Sequence, residues 1–367
     1  MILNLRRNCR CMRILWFNHR DIRHPLAGGA ERTIHEVGKR LAMRGHEVHL
    51  ASVNPGNLPR NEILDGVIVH RTRGNIAAHL NVPSLVRKLR PDTIVDDMAH
   101  VVPWFSTFSS KARVIVFFRH YHARSLQGQV SRPIASILTG LERSYPMIYR
   151  KCMFVTETSR GAQDLMHLGV PAPHIAQIPP GVDAELFRPA EKTAKPSLIY
   201  FGGMRNYKRP WLAVETLKML PPDDGISLFV VGEGKALERM KETAIRFRLE
   251  DRITFTSHIP YSDLASLVAA SWINLHFSVT EGFGLSILEA AAAGTPTAAL
   301  DTPGVSEVVN GFGLGRTAKD LGELLRILID ILSDNESWSD KAHASAESFS
   351  WSKCAERWER LICEYKQ

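Results

Sequence analysis

The sequence of 367 residues has few of the features that mark secreted, zinc-binding or membrane-spanning proteins. Its five cysteines form neither an even framework nor a Cys-x-x-Cys pair, which is typical of a chain from a reducing cytoplasm. No apolar run approaches the roughly 20 residues that span a bilayer. The stretch "HEVH" at 46–49 does not match the zinc motif HExxH, and the other histidines are scattered. Disulfide scaffolds, membrane spans and zinc hydrolases are therefore disfavoured.

The N-terminal residues 1–11, "MILNLRRNCRC", lack the apolar core and cleavage site of a secretory signal. Met12 opens a strand-like stretch, "MRILWFN". We therefore expect residues 1–11 to be an extension or an artefact of the assigned start.

The formal net charge of +8 could attract nucleic acid, anionic lipid or phosphorylated small molecules. The basic residues are dispersed, however, and no nucleic-acid-binding motif accompanies them. We predict no nucleic-acid partner. Two interpretations of the basic surface remain open, which are ordinary solvation and a peripheral contact with an anionic membrane.

Short apolar runs alternate with helical patterns along the chain, which is typical of βαβ units with parallel strands. The chain is longer than one hydrophobic core usually supports, so two domains are expected. A segment rich in proline and lysine, "IPPGVDAELFRPAEKTAKPS" at 178–197, separates two such series. We predict an α/β protein with two Rossmann-like, doubly wound parallel-sheet domains at 12–185 and 190–348, followed by a C-terminal helix in 349–367.

The predicted elements can be placed to within a few residues. Strands are expected at 13–18, 47–53, 65–71, 92–97, 112–118, 152–158, 197–203, 227–234, 253–258, 273–278 and 295–300. Helices of the second half are expected at 210–220, up to about 249, at 318–333 and at 353–366. Ligands of such sheets bind at the carboxyl ends of strands, and a cleft between the domains is the default site.

Two glycines, Gly28 and Gly29 in "HPLAGGAERT", separate the first strand from the first helix. Backbone amides and the helix dipole can receive an anion there, although a tight turn without a ligand explains the pair equally well. The fingerprint GxGxxG is missing both here and at Gly232–Gly234. Its absence argues against a nicotinamide or flavin enzyme.

A basic turn, "FGGMRNYKRP" at 201–210, follows the first strand of the second series. It carries Arg205, Lys208 and Arg209, which are the side chains that a diphosphate needs. Taken alone, a solvated basic turn explains the pattern as well. Its position at a strand's carboxyl end favours a binding role.

Two glutamates bracket a glycine turn in "TEGFGLSILEAAAAGTP" at 280–296. Glu281 follows a strand, and we expect Glu289 in about the first turn of a helix that starts near 285 or 286 and ends at Gly294. The glycines let backbone amides approach a ligand closely. Carboxylates beside amides suit the hydroxyls of a ribose or sugar together with a diphosphate. A capping glutamate next to a surface glutamate is the alternative.

Polar side chains also close two strands of the first series. Arg119, His120 and His122 follow one strand in "VIVFFRHYHARS", and a histidine there can donate to a hydroxyl or phosphate. Asp97 and His100 close the previous strand. For His120, an ordinary loop role explains the pattern about as well as a binding role does. For His122, Asp97 and His100, the ordinary loop role is the better explanation.

These motifs in this order resemble the retaining glycosyltransferases of family 4, which have the GT-B fold. The most specific element is "EGFGLSILEAAAAGTP", which matches the family's E-x7-E motif at Glu281 and Glu289. The supporting pieces are "GGAE", "IPPGVDAELFRP", "YKRP" with Lys208, and "GVSEVV" with Glu307. The resemblance runs from about Met12 to the C-terminal helix. It implies two domains facing each other across a cleft, with the C-terminal helix crossing back to the first domain.

The resemblance also implies roles for individual residues. It implies donor-binding roles for Gly28, Gly29, Arg205, Lys208, Phe283, Gly284, Leu285 and Glu289, and catalytic roles for His120, Lys208 and Glu281. Glu289 would bind the ribose hydroxyls and Glu281 the donor sugar, surrounded by the amides of Phe283, Gly284 and Leu285. Lys208 would neutralise the departing diphosphate.

The chain departs from the family pattern at two places. Gly203 stands where the family usually has an arginine, and Arg205 is the candidate to replace it. The crossover segment reads Pro-Pro-Gly instead of Asn-Gly, which we expect to alter only the turn.

The implied activity is transfer of a hexose-type sugar from a nucleoside-diphosphate sugar to an acceptor hydroxyl, with retention of anomeric configuration and with no metal or other cofactor. The acceptor would be a lipid-linked glycan, a polysaccharide or a small molecule, in cell-envelope glycan synthesis in the cytoplasm or at the inner face of the membrane. Glu281 would orient the donor and would not act as a nucleophile. The alternatives are a GT-B-type nucleotide-sugar epimerase and a non-catalytic nucleotide-sugar-binding protein.

Overall fold

A computed structural model describes residues 10–126, 130–257 and 259–365. The chain divides into two compact units. The first comprises the described residues up to Ala123, Arg132–Gly181 and those from Trp351 onward, and the second comprises Arg124–Ser131 and Val182–Ser350. The division at 181/182 falls within the segment predicted as a linker. The expected N-terminal extension falls mostly on residues 1–9, outside the described ranges.

The first unit is built on an eight-stranded sheet in the order β3-β4-β2-β1-β5-β6-β7-β8. Its strands are β1 (Arg13–Phe17), β2 (Glu47–Asn54), β3 (Asn61–Leu64), β4 (Val67–Arg73), β5 (Thr93–Met98), β6 (Arg113–Phe118), β7 (Met153–Thr156) and β8 (Ile175–Gln177). All neighbours are parallel except β3, which pairs antiparallel with β4 at the edge. The predicted parallel-sheet domain is confirmed, and β3 is an additional antiparallel edge strand that the sequence analysis did not include. The sequence of β3, "NEIL", is too short and too exposed to produce an apolar run.

Helices accompany this sheet because their apolar residues recur at helical spacing. They are α1 (Gly29–Met43), α2 (Asn75–Leu80), α3 (Val82–Leu89), α5 (Arg132–Arg143), α6 (Tyr145–Ile148) and α7 (Ser159–Leu168), and α4 (His122–Leu126) has its first two residues in this unit. In α1, Ile34, Val37 and Leu41 are fully buried or nearly so. Helix α7 begins at a side-chain cap, since Thr158 accepts a hydrogen bond from the amide of Gly161.

The second unit is built on a six-stranded, wholly parallel sheet in the order β11-β10-β9-β12-β13-β14. Its strands are β9 (Ser197–Phe201), β10 (Ser227–Val231), β11 (Ile253–Thr256), β12 (Ile273–His276), β13 (Thr297–Leu300) and β14 (Gly315–Ala318). Its helices are α8 (Trp211–Met219), α9 (Leu237–Phe247), α10 (Tyr261–Ala270), α11 (Leu285–Ala292), α12 (Leu321–Ser333) and α13 (Asn335–Ala346). The sequence analysis did not predict α10, α13 or β14. The stretches of the last two, "NESWSDKAHASA" and "GRTA", carry almost no apolar residue larger than alanine.

The C-terminal helix α14 (Trp351–Glu364) belongs to the first unit and packs against α1. Its Trp358 is fully buried, with ring centroids 4.9 Å from Trp16 and 5.0 Å from Phe117. The chain therefore returns to its first sheet after completing the second.

Within the described ranges, none of the helices combines the length and the apolar character that crossing a membrane requires. Cys11, Cys152 and Cys354 are free thiols, of which the last two are buried. Cys363 is disulfide-bonded, a feature that the spacing of the cysteines did not predict.

Candidate active site

The candidate site of the second unit lies at the point in its sheet where the order of strand addition reverses. The chain runs outward from β9 to β10 and β11, and then returns to place β12 on the other side of β9. Open parallel sheets bind ligands at the carboxyl ends of the two strands that flank such a reversal. Lys208 follows β9 and Glu281 follows β12. The topology thus brings together two residues that are 73 positions apart in sequence.

Lys208 and Glu281 form an ion pair in a largely buried setting. The ammonium Nζ of Lys208 lies 3.0 Å from Oε1 of Glu281, and the two side chains are 21% and 13% exposed. The same carboxylate oxygen accepts a hydrogen bond of 2.7 Å from Ser278 Oγ. His276 Nε2 lies 3.5 Å from it. The carboxylate therefore has three polar neighbours on one oxygen.

The charges of the pair support each other. Burial alone would raise the pKa of Glu281, but the Lys208 ammonium, the nearby His276 imidazole and the hydrogen bond from Ser278 hold this pKa well below its usual value. Burial alone would lower the pKa of Lys208, but the carboxylate of Glu281 raises it above its usual value. Both groups are therefore charged throughout the neutral pH range.

The loops that carry the pair are fastened to each other. The amide of Val279 donates to the carbonyl of Tyr207 at 2.9 Å, and Nε of Arg209 donates to the carbonyl of Phe277 at 2.7 Å. Arg209 has a left-handed backbone with φ of +47°. These cross-links fix the distance between the turn after β9 and the loop after β12, so the geometry of the Lys208–Glu281 pair is built into the backbone.

A third loop, which follows β13, contacts the backbone next to Glu281. The hydroxyl of Thr302 donates to the carbonyl of Ser278 at 2.7 Å. At Gly304, φ is +84°, and a β-carbon would lie 2.2 Å from the carbonyl oxygen of Glu281. Only glycine permits this approach. Glu307, which the sequence motif "GVSEVV" singled out, begins a π-helical turn (Glu307–Gly311) just beyond.

Glu289 lies on the buried face of α11. The helix begins at Leu285, after Gly284 at a φ of +86°, so Glu289 is its fifth residue and lies in the second turn. The helix starts where the sequence predicted, and Glu289 lies about one residue beyond its first turn. The Glu289 carboxylate accepts a hydrogen bond from the hydroxyl of Tyr261 at the start of α10. Only 8% of the residue is exposed.

In the glycine turn at 282–284, the side chain of Phe283 is not accessible to a ligand. Phe283 is buried, with its ring 5.8 Å from Phe312 and 5.6 Å from Phe349. Any contact that this residue makes with a ligand must therefore come from its main chain. A β-carbon at Gly284 would lie 2.9 Å from Ile287 Cδ1, so the Ile287 side chain would have to shift, and the φ of +86° would also be strained.

Arg205 lies on the turn after β9 but not in the buried pair. Its side chain is exposed, and its carbonyl accepts a hydrogen bond from the amide of Lys208 at 2.9 Å. Gly203 lies next to it, where an added β-carbon would lie 3.8 Å from Arg205 Nε. The proposed replacement of the family arginine by Arg205 stays a prediction.

The glycine pair of the first unit has a local partner. Gly28 is the N-cap of α1, and its amide donates to the Glu31 carboxylate at 2.7 Å in a capping arrangement. Gly29 is the first residue of the helix. An anion at this helix terminus would have to compete with Glu31 for the Gly28 amide.

The strand-end residues of the first unit separate into two groups. Arg119 is buried and pairs with Asp97 at 2.6 Å and with Glu157 at 3.0 Å. This network explains Asp97 and Arg119 as structural ions. His120 is half-buried, and its ring centroid lies 4.5 Å from that of His122, whose Nδ1 is 3.0 Å from the carboxylate of Glu142.

Sequence reasoning missed three polar residues next to the pair and the helix. His276 and Ser278 are two positions apart at the end of β12, a spacing that puts two side chains on one face of a strand. That alternation was a usable signal. Tyr261 had none, because its contact with Glu289 depends on how α10 packs beside α11. The described part of the chain contains no group of three or more His, Cys, Asp or Glu side chains placed to hold a metal ion.

Comparison with known proteins assigns the chain to a family. Residues 27–186 match the model described as Glycosyltransferase Family 4, and residues 182–346 match the model described as Glycosyl transferases group 1. The chain belongs to glycosyltransferase family 4. The E-x7-E motif of this glycosyltransferase lies within the second match, and "GGAE" lies within the first.

Similarity to individual proteins is more distant. The D-inositol 3-phosphate glycosyltransferase of Nocardia farcinica is 28% identical over 226 residues, which cover 55% of this glycosyltransferase and 50% of the relative. The matches to this protein and to its counterparts span about half the length of those curated relatives.

Solved structures establish the GT-B fold. Sucrose-phosphate synthase from Thermosynechococcus elongatus superposes with a TM-score of 0.81 at 19% identity, covering 95% of this chain and 98% of that one. HepE of Anabaena, in complex with UDP-glucose, has a TM-score of 0.75 at 17% identity, covering 96% of this chain and 100% of that one.

Proposed function

We propose that this glycosyltransferase moves a hexosyl group from a nucleoside-diphosphate sugar to an acceptor hydroxyl with retention of anomeric configuration. The observation that carries the proposal is the Lys208–Glu281 ion pair, 3.0 Å long, at the strand reversal of the second sheet. A fixed ammonium beside a fixed carboxylate suits a donor that joins a diphosphate to a sugar. Glu289 lies on the helix that follows and takes the ribose hydroxyls.

UDP-glucose is the donor that we propose to test first. HepE, which shares the fold, has been solved with UDP-glucose. GDP- and ADP-sugars are the alternatives, since the base would contact the stretch "TSHIP" at 256–260. His258 of that stretch lies outside the described residues.

The reaction breaks the bond between the anomeric carbon and the diphosphate oxygen. A bond from the acceptor oxygen to the same carbon forms on the same face. The acceptor hydroxyl gives its proton to the departing diphosphate, so atoms and charge balance without a further reactant. Negative charge grows on the diphosphate as the bond breaks, and the Lys208 ammonium is positioned to stabilise it.

Glu281 orients the donor and does not attack it. Its carboxylate is engaged by Lys208 and Ser278, and its low pKa makes it a weak nucleophile and a weak base. A retaining glycosidase instead places a free carboxylate about 5 Å from its acid partner. A carboxylate held in an ion pair is better suited to accepting hydrogen bonds from sugar hydroxyls.

The reaction needs no metal or organic cofactor in this proposal, because Lys208 supplies the positive charge that a metal would otherwise provide. His120 lies at the end of β6 in the first unit and contacts the donor sugar in this scheme. The acceptor is a glycan, a lipid-linked sugar or a small molecule, and the cytoplasmic face of a membrane is the proposed place of action.

The proposal is tested with a panel of UDP-, GDP- and ADP-sugars, first by thermal shift and then by slow donor hydrolysis without acceptor. A transferase should bind one nucleotide class and release free nucleotide and free sugar. An epimerase would instead convert the donor into a second nucleotide-sugar without releasing nucleotide. Conversion of this kind, or stabilisation by none of the donors, would contradict the proposed function.

A further inference from the structure

A hydrogen bond between Tyr261 and Glu289 joins two neighbouring helices of the second unit. Tyr261 is the first residue of α10, and Glu289 is the fifth residue of α11. The hydroxyl of Tyr261 donates to Oε1 of Glu289. An ionised carboxylate has only acceptor sites, so the direction of this bond is determined. The carboxylate that we assign to the ribose is therefore held by a residue of a different helix.

Packing restricts the ring of Tyr261. The ring of Phe187, which is fully buried, meets it nearly edge-on, with centroids 5.2 Å apart and planes at 75°. Phe187 lies in a closed turn of the crossover segment, in which its amide donates to the carbonyl of Asp183 at 2.8 Å. The packed rings limit the positions that the Tyr261 hydroxyl can take.

The backbone that precedes Tyr261 is also fixed. Pro260 has a restricted φ, and its carbonyl accepts hydrogen bonds of 3.0 Å from the amides of Asp263 and Leu264. Pro260 is the last residue of the stretch 256–260, which we expect to contact the base. Tyr261 therefore lies between the stretch assigned to the base and the carboxylate assigned to the ribose.

The two helices are fastened at their opposite ends as well. Nζ of Lys192 donates to the carbonyls of Ser271 and Gly294, both at 2.8 Å. Ser271 follows the last residue of α10, and Gly294 lies two residues beyond the end of α11. Because α10 and α11 are tied at both ends, the geometry between Tyr261 and Glu289 is part of the fold of the second unit.

The hydroxyl of Tyr261 leaves room for a ribose on Glu289. The two oxygens of a carboxylate offer about four acceptor sites, which is enough for a phenol and two sugar hydroxyls together. A glutamate that is free to rotate loses conformational freedom when it binds, and this loss lowers affinity. A hydrogen bond that orients the carboxylate beforehand reduces the loss.

We propose that Tyr261 is a positioning residue for nucleotide recognition. Its hydroxyl orients Glu289 and so increases the preference for a ribose over a sugar that lacks the 2′ and 3′ hydroxyls. The inference rests on the proposed function, because it takes Glu289 as the residue that binds the ribose. It adds a residue that lies outside the E-x7-E motif and that acts through Glu289.

The test is calorimetric titration of the full chain with UDP, GDP and ADP, and then with the 2′,3′-dideoxy form of the one that binds most tightly. The wild type should bind the ribonucleotide about tenfold to a hundredfold more tightly than the dideoxy form. The Tyr261→Phe variant keeps the ring and loses the hydroxyl. It should bind the ribonucleotide about threefold to tenfold more weakly than the wild type and the dideoxy form equally well.

The Tyr145→Phe variant is the matched control. Tyr145 is fully buried in the first unit, and its hydroxyl donates to the carbonyl of Val101. Its loss removes a comparable hydrogen bond and should leave the affinities for both nucleotides unchanged. The double variant Tyr261→Phe/Glu289→Gln should bind the ribonucleotide as Glu289→Gln alone does, because the hydroxyl acts through the carboxylate.

Three results would overturn the inference. Ribonucleotide binding by Tyr261→Phe that is as tight as that of the wild type, or tighter, would show that the hydroxyl does not help the ribose. Equal weakening for both nucleotides would reduce Tyr261 to a structural role, and additive effects in the double variant would separate it from Glu289.

The proposed function can be judged apart from these results. If the wild type binds a nucleoside diphosphate and prefers the ribose form, the function stands whatever Tyr261→Phe does. Binding of none of UDP, GDP and ADP would contradict the proposed function and this inference together.

Discussion

Glu281 is the residue whose surroundings differ most from those of an ordinary surface carboxylate. The polar atoms of Lys208, His276 and Ser278 all lie within 3.5 Å of Oε1 of Glu281. Its pKa is lowered in the folded state, so it binds a proton less readily than in the unfolded chain. Its contribution to stability is therefore present above the unfolded value of about 4.3 and is lost as the pH falls through the lower folded value.

We expect the Glu281→Gln variant to be less stable than the wild type by about 1.5–3 kcal/mol at pH 7, because the ammonium of Lys208 loses its charged partner. The difference should persist at pH 5 and shrink below about pH 4, where the Glu281 carboxyl of the unfolded wild-type chain takes up a proton more readily than the folded one. Urea denaturation at these pH values measures it. A difference that grew on acidification would contradict the charge assignment.

At Glu289 the expected effect is on donor binding. The Glu289→Gln variant should weaken UDP binding about tenfold to a hundredfold, because ribose hydroxyls lose a charged acceptor. Titration with UDP measures the change. The control Glu238→Gln removes the same charge from an exposed position of α9 and should bind UDP as the wild type does. Equal affinities of all three proteins would remove Glu289 from the site.

At this scale the sequence indicated the positions of candidate residues better than their hydrogen-bond partners. Lys208 and Glu281 were singled out because they follow strands, and Glu289 because it lies on the helix after a glycine turn, and such features are visible in local patterns. The contact of Tyr261 with Glu289 and the engagement of the Gly28 amide by Glu31 could not be predicted, because each depends on a side-chain direction that no local pattern records.

Among the structural elements, the loop after β13 has a strict steric requirement. Gly304 faces the carbonyl of Glu281 so closely that a β-carbon would lie 2.2 Å from it. Gly45 has a similar φ of +95°, yet a β-carbon there would meet nothing within 4 Å. A comparison of alanine substitutions at Gly45 and Gly304 therefore distinguishes the cost of a left-handed backbone from the cost of a steric clash.

We expect Gly45→Ala to cost about 1–2 kcal/mol from the left-handed backbone alone. Gly304→Ala should cost more and should also lower donor hydrolysis, since the backbone of Glu281 must move. Urea denaturation and nucleotide release measured on both variants make the comparison. Equal costs with unchanged hydrolysis would show that the loop after β13 does not position Glu281.

The elements that the sequence predicted are those with apolar runs. The predicted strands matched the observed ones to within about two residues at most ends. The missed strands β3, β8 and β14 are short and the missed helix α13 is polar, and tertiary packing stabilises them in place of an intrinsic pattern. The antiparallel pairing of β3 at the edge of the first sheet could not be predicted for the same reason.

On the scale of the whole molecule, the C-terminal helix α14 completes the hydrophobic core of the first unit. Trp358 is fully buried between Trp16 and Phe117, so the last helix completes the core that the first strand began. The Trp358→Ala variant should lose about 3–5 kcal/mol of stability. Hydrogen exchange should accelerate in β1 and β6 and not in β9. The control Trp338→Ala, half-buried in the second unit, should have the opposite distribution. Uniform acceleration would contradict the division into two units.

The central claim is that this family 4 glycosyltransferase uses Lys208, and no metal, to carry the charge of a departing diphosphate. The direct measurement is the rate of UDP release from UDP-glucose in EDTA, for the wild type and the Lys208→Met variant. The account predicts an unchanged wild-type rate in EDTA and a loss of about a hundredfold to a thousandfold in the variant. Loss of the wild-type rate in EDTA that Mn²⁺ restores, or a variant that releases UDP at the wild-type rate, would contradict it.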